Sequence, residues 1–437
     1  MNVLPKTCII FFICVMIKGL INRNKEVVVN EQQLKKYAKL VIKTGVNLKK
    51  GQLLVIKAPI ESAPFVREVM TAAYDQGASD IEVFWSDEKA TKIKYMMAPD
   101  DYFDSIPSWM VEFYMSAVKK EAAFLSISAS DPELMKEVDP DRMTRLQKAS
   151  GKALKTYREK LMNNELVWCV VSVPTLAWAK KVFPNVSEEE AMNALWDAIF
   201  KAIRVDQLDP IVAWEEHVAR LKTRMRKLND LKLTALKYRN ALGTDLTVGL
   251  PEGHLWLGGS DIMTDGHEFV ANIPTEEIFT APDFRRVDGI VYSAKPLNLN
   301  GTLVEEFNLT FKAGKIVEIA AKKGFEQLKQ LISTDDGSVY LGEVALVPHD
   351  SPISNMDILF YNTLFDENAA CHLAIGKAYP VCLEGGDTMD AETLKEHGIN
   401  DSLVHEDFMI GTEDMCIMGV TESNEEVKIF ENGNFVF

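Results

Sequence analysis

Between residue 31 and about residue 205 the chain alternates two patterns. One is a short, almost unbroken apolar run: QLLVIKAP (52–59), SDIEVFWSD (79–87), AAFLSISA (122–129) and ELVWCVVSVP (165–174). The other is longer, with apolar positions every three or four residues, as in LKKYAKLVIKTG (34–45) and APFVREVMTAAYDQG (63–77); the charged segment 131–163 also reads as helix. Strands with little alternation are buried on both faces, and helices between them supply the crossovers that parallel pairing needs. The pattern predicts an α/β N-terminal domain with an open parallel sheet. Residues 187–229 read as charged helix bridging out of that domain. After 230 the runs shorten. LKLTALKYRN, DLTVGLP, HLWLGG, GIVYSAKP, EFNLTFKAGKIVEI and SVYLGEVALVP are set apart by Gly, Asn or Pro turns. They predict an α+β C-terminal domain rich in antiparallel strands. The expected division is an apolar leader over 1–30, the α/β domain with its helical bridge over 31–229, and the second domain over 230–437.

Composition narrows the function. The 437 residues are 47% apolar and 26% charged, as a large-cored globular protein requires. A net charge of −16 and the lack of any long basic run exclude a nucleic-acid groove. No GxGxxG follows the predicted parallel strands and no GxxxxGK[ST] occurs, so the α/β domain reads as scaffold. Six cysteines form no CxxC pair; Cys169, Cys371, Cys382 and Cys416 read as free thiols of a reducing compartment. CIIFFICVMI (8–17), holding Cys8 and Cys14, is too short to span a bilayer and precedes no small-residue cleavage site. It reads as an N-terminal extension, with Met16 an alternative start and a cytoplasmic location. The alternative is a signal peptide on a secreted protein, with Asn185, Asn300 and Asn308 opening N-x-S/T sequons. No later stretch predicts a membrane span.

Chemistry concentrates in the second half, where five of the seven histidines follow residue 260. In LVHEDFMIG (403–411), a strand would put His405 and Asp407 on one face and Glu406 on the other. The pair suits a zinc, cobalt or manganese ion, or a buried His–Asp hydrogen bond. In GSVYLGEVALVP (337–348), Glu343 sits in an apolar run and, if buried, must be neutral, paired or metal-bound; an exposed strand face is the alternative. DENAACHLAIGKAYP (366–380) holds Asp366, Glu367, His372 and Tyr379. On a helix His372 and Tyr379 share a face; on a strand they oppose each other unless Gly376 marks a bulge. ANIPTEEIFTAPD (271–283) presents Glu276 and Glu277 on a proline-bounded loop, or on a solvated acidic turn. Together these segments supply the carboxylates, imidazoles and phenol that a pair of bridged divalent ions requires.

With those segments assembled, the chain from Leu34 to its end resembles the aminopeptidase T / aminopeptidase S family of two-metal exopeptidases. NIPTEEIFTAPD, GEVALVPHDSPI, NAACHLAIGKAY and LVHEDFMIG carry the likeness. It implies metal ligands at Glu277, Glu343, His372, Tyr379, His405 and Asp407, and two divalent ions drawn from zinc, cobalt and manganese. It implies a homodimer, and release of N-terminal residues from free-amine peptides by a metal-activated water. Glu276 or Glu367 is then available as general base, Glu367 also as a further ligand, and Tyr379 to ligate or to brace the oxyanion. Another dimetal hydrolase, such as a phosphoesterase, or a metal-stabilised binding protein are the alternatives; no Arg- or Lys-rich loop flanks the motifs to hold a phosphate.

Overall fold

The computed structural model describes residues 30–437 apart from Ser130 and Asn300. The leader with Cys8, Cys14 and Met16, and the sequon at Asn300, lie outside the described residues. Four strands, β1 (Leu53–Pro59), β2 (Asp80–Ser86), β3 (Ala123–Ser128) and β4 (Trp168–Ser172), form a parallel sheet in the order β2-β1-β3-β4. The near-continuous apolar runs fit this placement, because both faces are covered. Leu54, Ile56 and Ala58 enter the main N-terminal core, whereas Leu53 and Val55 pack with Phe124 and Leu166 on the other side. The expected helix over 131–163 is two helices, Pro140–Ala153 and Lys155–Met162. Asp139 caps the first through Asp141 N, and Pro140 supplies a fixed φ where no amide donor is needed, so 131–139 stays outside the helix.

The bridge is built from strong local signals. Ser187 and Glu190 form a capping box that starts the helix Glu188–Ala202. Asp209 accepts from Ile211 N and Val212 N and Pro210 occupies the first turn, launching the helix Pro210–Asp230. That helix buries Trp214 and Val218 in the N-terminal core and Leu221 and Leu228 in the C-terminal one.

The second half holds two antiparallel sheets sharing one core. The larger contains β5 (Leu233–Arg239), β6 (Asp245–Gly249), β11 (Val287–Tyr292), β12 (Leu297–Leu299), β13 (Thr302–Lys312), β14 (Lys315–Lys323), β18 (Cys416–Thr421), β19 (Glu426–Glu431) and β20 (Asn434–Phe435). The smaller runs in the order β17-β16-β15-β10-β7, from β7 (Leu257–Gly258), β10 (Ile278–Thr280), β15 (Leu341–Leu346), β16 (His372–Gly376) and β17 (His405–Met409). A short ribbon pairs β8 (Asp261–Ile262) with β9 (Glu268–Phe269). Chain order and core membership do not coincide: Phe269, Val270, Ala271, Ile273, Phe360 and Phe365 complete the N-terminal core. Ala271–Ile273 also lies along the open edge of β4, where Val170 N donates to Ala271 O (2.7 Å) and Ile273 N to Val170 O (3.0 Å). This edge contact fixes the chain that leads into Thr275–Glu277.

Candidate metal centre

Residues opposite each other in an antiparallel sheet share a face. Glu343 pairs with Ala374, and Ala374 with Asp407; His372 pairs with Ala345, and His405 with Gly376. Glu343, His372, His405 and Asp407 therefore project from one face of the smaller sheet, and the methyl of Ala374 leaves room among them. Val344, Leu373, Ile375 and Phe408 project from the other face into the core. Glu277 enters from the segment leading into β10. His372 Nε2 lies 3.2 Å from Glu277 Oε2 and 3.6 Å from Glu343 Oε1. His405 Nε2 lies 3.5 Å from Glu343 Oε2 and 3.6 Å from Asp407 Oδ1. Two triads result, Glu277–Glu343–His372 and Glu343–His405–Asp407, whose ligand atoms fall within 4.8 Å of one another.

The donor set fits divalent ions on three grounds. First, His372 Nδ1 donates to Ala370 O (3.1 Å) and His405 Nδ1 to Lys377 O (2.7 Å). A carbonyl only accepts, so Nδ1 carries the proton and the Nε2 lone pair of each neutral ring faces the carboxylates, the orientation of a ligating histidine. Second, buried Asp407 Oδ1 has no hydrogen-bond partner. Third, among the described residues no Lys or Arg pairs with Glu277, Glu343, Glu367 or Asp407. Without an ion, protons must supply the missing positive charge. Burial opposes a charged His405, yet Asp407 and Glu343 outweigh it and hold the ring up at about 10. Burial pushes the Glu343 carboxyl up, with Asp407 adding to the shift against the pull of His372. Glu367 is raised further by burial and then by Asp407 and Glu277. Bound divalent ions would displace those protons.

Tyr379 reaches the site by a route its spacing did not specify. The strand stops at Gly376, whose φ of +104° turns the chain. The Tyr379 ring then stands 5.0 Å from the His405 ring. Burial and the surrounding carboxylates raise the phenol's pKa well above its ordinary value. Gly376→Ala is expected to cost about 2 kcal/mol or more, since a left-handed backbone is strained with a Cβ, and that Cβ would meet Val404 O at 2.2 Å. Chemical denaturation measures the loss; kcat should fall with it as Tyr379 shifts. A variant as stable and as active as the parent would refute this role of the turn.

Glu276 is a correction. Adjacent residues of an extended chain point apart, and Glu276 points away from the cavity, into the packing of the helical bridge. Its carboxylate pairs with Arg204 Nη2 at 2.7 Å and lies 3.6 Å from His217 Nε2, and its backbone N donates to Asn368 Oδ1 (2.6 Å). His217 Nε2 donates to Thr275 O (2.8 Å), while Nδ1 accepts from Arg204 (3.1 Å). Burial, then the Arg204 charge, pulls His217 down to about 3. Glu276 is thus a support for the loop carrying Glu277 and is not placed to act as a base. Glu406 pairs with Ile375 on the far face, its carboxyl pushed up to about 8 by burial and then by Asp407.

A cavity of about 480 Å³ opens over the ligands and is lined by Glu277, Glu343, Glu367, His372, His405 and Asp407. Tyr379, Phe279 and Lys377 also line it, as do residues with no local signature in the sequence: Asp261, Asn164, Trp168 and Arg158. Asn164 donates to Asp261 Oδ1 (3.2 Å), joining the two halves of the chain across the cavity. Burial pushes Asp261 up to about 6, against the pull of Asn164.

Residues 30–435 match the family described as thermophilic metalloprotease (M29). The chain is 48% identical to aminopeptidase AmpS of Bacillus subtilis over 93% of its own length and 99% of that protein's. It is 43% identical to aminopeptidase T of Thermus thermophilus, over 93% and 99% of the two chains. Wild-type AmpT from Thermus thermophilus superposes with a TM-score of 0.88 at 42% identity, covering 94% of this chain and 100% of that one. Its cluster of acids and imidazoles thus sits in a fold and a sequence shared along nearly the whole chain, which belongs to the M29 family of metalloproteases.

Proposed function

We infer that the chain is a metal-dependent aminopeptidase with two divalent ions, one held by Glu277, Glu343 and His372 and the other by Glu343, His405 and Asp407. The observation that carries the two-ion reading is Glu343, the one carboxylate common to both triads. Imidazole, carboxylate and phenol donors suit zinc, cobalt or manganese. Such ions, when bound, polarise a carbonyl and make water acidic near neutral pH. The protein's own groups do the rest. Glu367 lines the cavity outside both triads and takes the proton from the attacking water. Tyr379, kept protonated by burial and by its acidic surroundings, donates to the oxyanion, or ligates as the family resemblance implies. Asp261 lines the cavity with only Asn164 as a side-chain partner and pairs with the peptide's free ammonium. The reading extends to a homodimer, on the family resemblance, and to a reducing compartment such as the cytoplasm, since the four cysteines among the described residues are free. No helix among the described residues is long and apolar enough to cross a membrane.

Chelation is expected to abolish hydrolysis of leucine p-nitroanilide, and added zinc, cobalt or manganese to restore it. Free-amine peptides should lose residues one at a time. Acetylated versions should react at least about tenfold slower, since a lost charged hydrogen bond is worth about 1.5–3 kcal/mol. Mass spectrometry of the peptide ladder reads the outcome. Full activity in a preparation shown metal-free by elemental analysis, or equal rates for both peptide forms, would overturn the assignment.

A further inference from the structure

The acidic ligands occupy one side of the cavity, and the N-terminal half builds the opposite wall. Arg158, Leu161 and Met162 come from the helix Lys155–Met162, and Trp168 comes from β4. Besides its apolar side chains the wall carries Asn164, which donates to Asp261, and two further donors. The buried Trp168 indole N–H has no hydrogen-bond partner. Arg158 makes a single side-chain hydrogen bond, to Ser150 Oγ at 3.4 Å, and no ion pair among the described residues. On the preceding helix, Arg142 and Arg145 are both tied to acids, Arg145 to Asp100 at 2.8 Å and Asp104 at 2.6 Å.

The cavity thus carries carboxylates together with two cations: Lys377, paired with Asp401 at 3.5 Å, and Arg158, a solvent-exposed guanidinium with no ion pair among the described residues. A guanidinium is a planar fork matched to a carboxylate, and its charge is permanent. A cavity of about 480 Å³ is in the range that encloses a small organic ligand, which here means a peptide of a few residues. We propose that Arg158 reads the free C-terminal carboxylate of short peptides whose N-terminus lies among the acidic ligands, so that the site selects short substrates by both ends. The proposal rests on the aminopeptidase reading above and adds a specificity determinant to it.

The test compares Leu-Gly-Gly with its C-terminal amide on the metal-loaded full chain, with leucine p-nitroanilide confirming that the wild-type preparation is active. The wild type should prefer the acid over the amide by about tenfold or more in kcat/KM, a charged hydrogen bond being at stake, and mostly through KM. The preference should fade for peptides of eight or more residues, whose carboxylate lies outside the cavity. In Arg158→Ala the acid-to-amide ratio should fall to about one, with Arg158→Lys between the two. Should Arg158→Ala fail to fold, Arg158→Gln gives the same comparison. A wild type that treats acid and amide alike, or an alanine or glutamine variant that keeps the preference, overturns the role of Arg158 while leaving aminopeptidase activity standing. A metal-loaded wild type that hydrolyses neither nitroanilide nor peptide overturns the aminopeptidase reading, and this proposal with it.

Discussion

Glu343→Gln should lower kcat by about three orders of magnitude or more and empty both metal positions, with the fold retained. Losing a ligand removes several kcal/mol of transition-state stabilisation, and each 1.36 kcal/mol is a factor of ten in rate. Glu343 is shared by both triads, whereas His372 and His405 each belong to one. Elemental analysis should thus find Glu343→Gln short of both ions, and His405→Ala short of one. The metal-free variant should not unfold more readily than the metal-free parent. Burial and the nearby Asp407 already disfavour the charged carboxylate, so a neutral amide relieves repulsion inside the cluster. A Glu343→Gln protein with two ions per chain and near-parental kcat would end the assignment of that residue.

How far the sequence foretold this site depends on which interactions place each residue. The parallel sheet was legible because buried strands leave almost unbroken apolar runs, as in LLVIKAP (53–59). Within the site, the strand period of two was enough to put His405 and Asp407 on one face, and Glu343 followed once its run was read as a buried strand. Tyr379 was ambiguous because its position depends on a turn at Gly376, and a glycine's φ is not written in hydropathy. The EE pair at 276–277 presents two identical side chains; Glu277 turns to the ligands and Glu276 to Arg204, and the difference comes from a turn between two helices some seventy residues away. Asp261, Asn164 and Arg158 were invisible for the same reason on a larger scale. They meet the ligands only because the N-terminal half packs over the smaller sheet, and nothing within ten residues of any of them marks that contact.

The buried pair under the metal loop should be the most sensitive point of stability outside the site. Arg204→Met is expected to cost about 3–5 kcal/mol, the usual penalty for leaving one member of a buried ion pair uncompensated. Besides donating to Ala202 O at 3.3 Å, the guanidinium holds three side chains at once. It pairs with Glu276 at 2.7 Å, donates to His217 Nδ1 at 3.1 Å, and stands 5.4 Å from the Trp214 ring. His217 in turn holds Thr275 O, so the backbone that delivers Glu277 hangs on this network. Its loss should therefore lower kcat and metal affinity as well, although Arg204 does not line the cavity. Glu276→Leu alone strands the guanidinium and should also destabilise. The double variant Arg204→Met with Glu276→Leu removes both charges, and should be more stable than Arg204→Met, because a buried ion pair exchanged for apolar packing is often neutral. Chemical denaturation of the metal-free proteins closes the cycle. An Arg204→Met protein within about 0.5 kcal/mol of the parent, the scale of an ordinary surface substitution, would show that the pair supports nothing. Additive losses in the double variant would show that the two charges are not coupled, and that Glu277 is held in place by the edge contact with β4 alone.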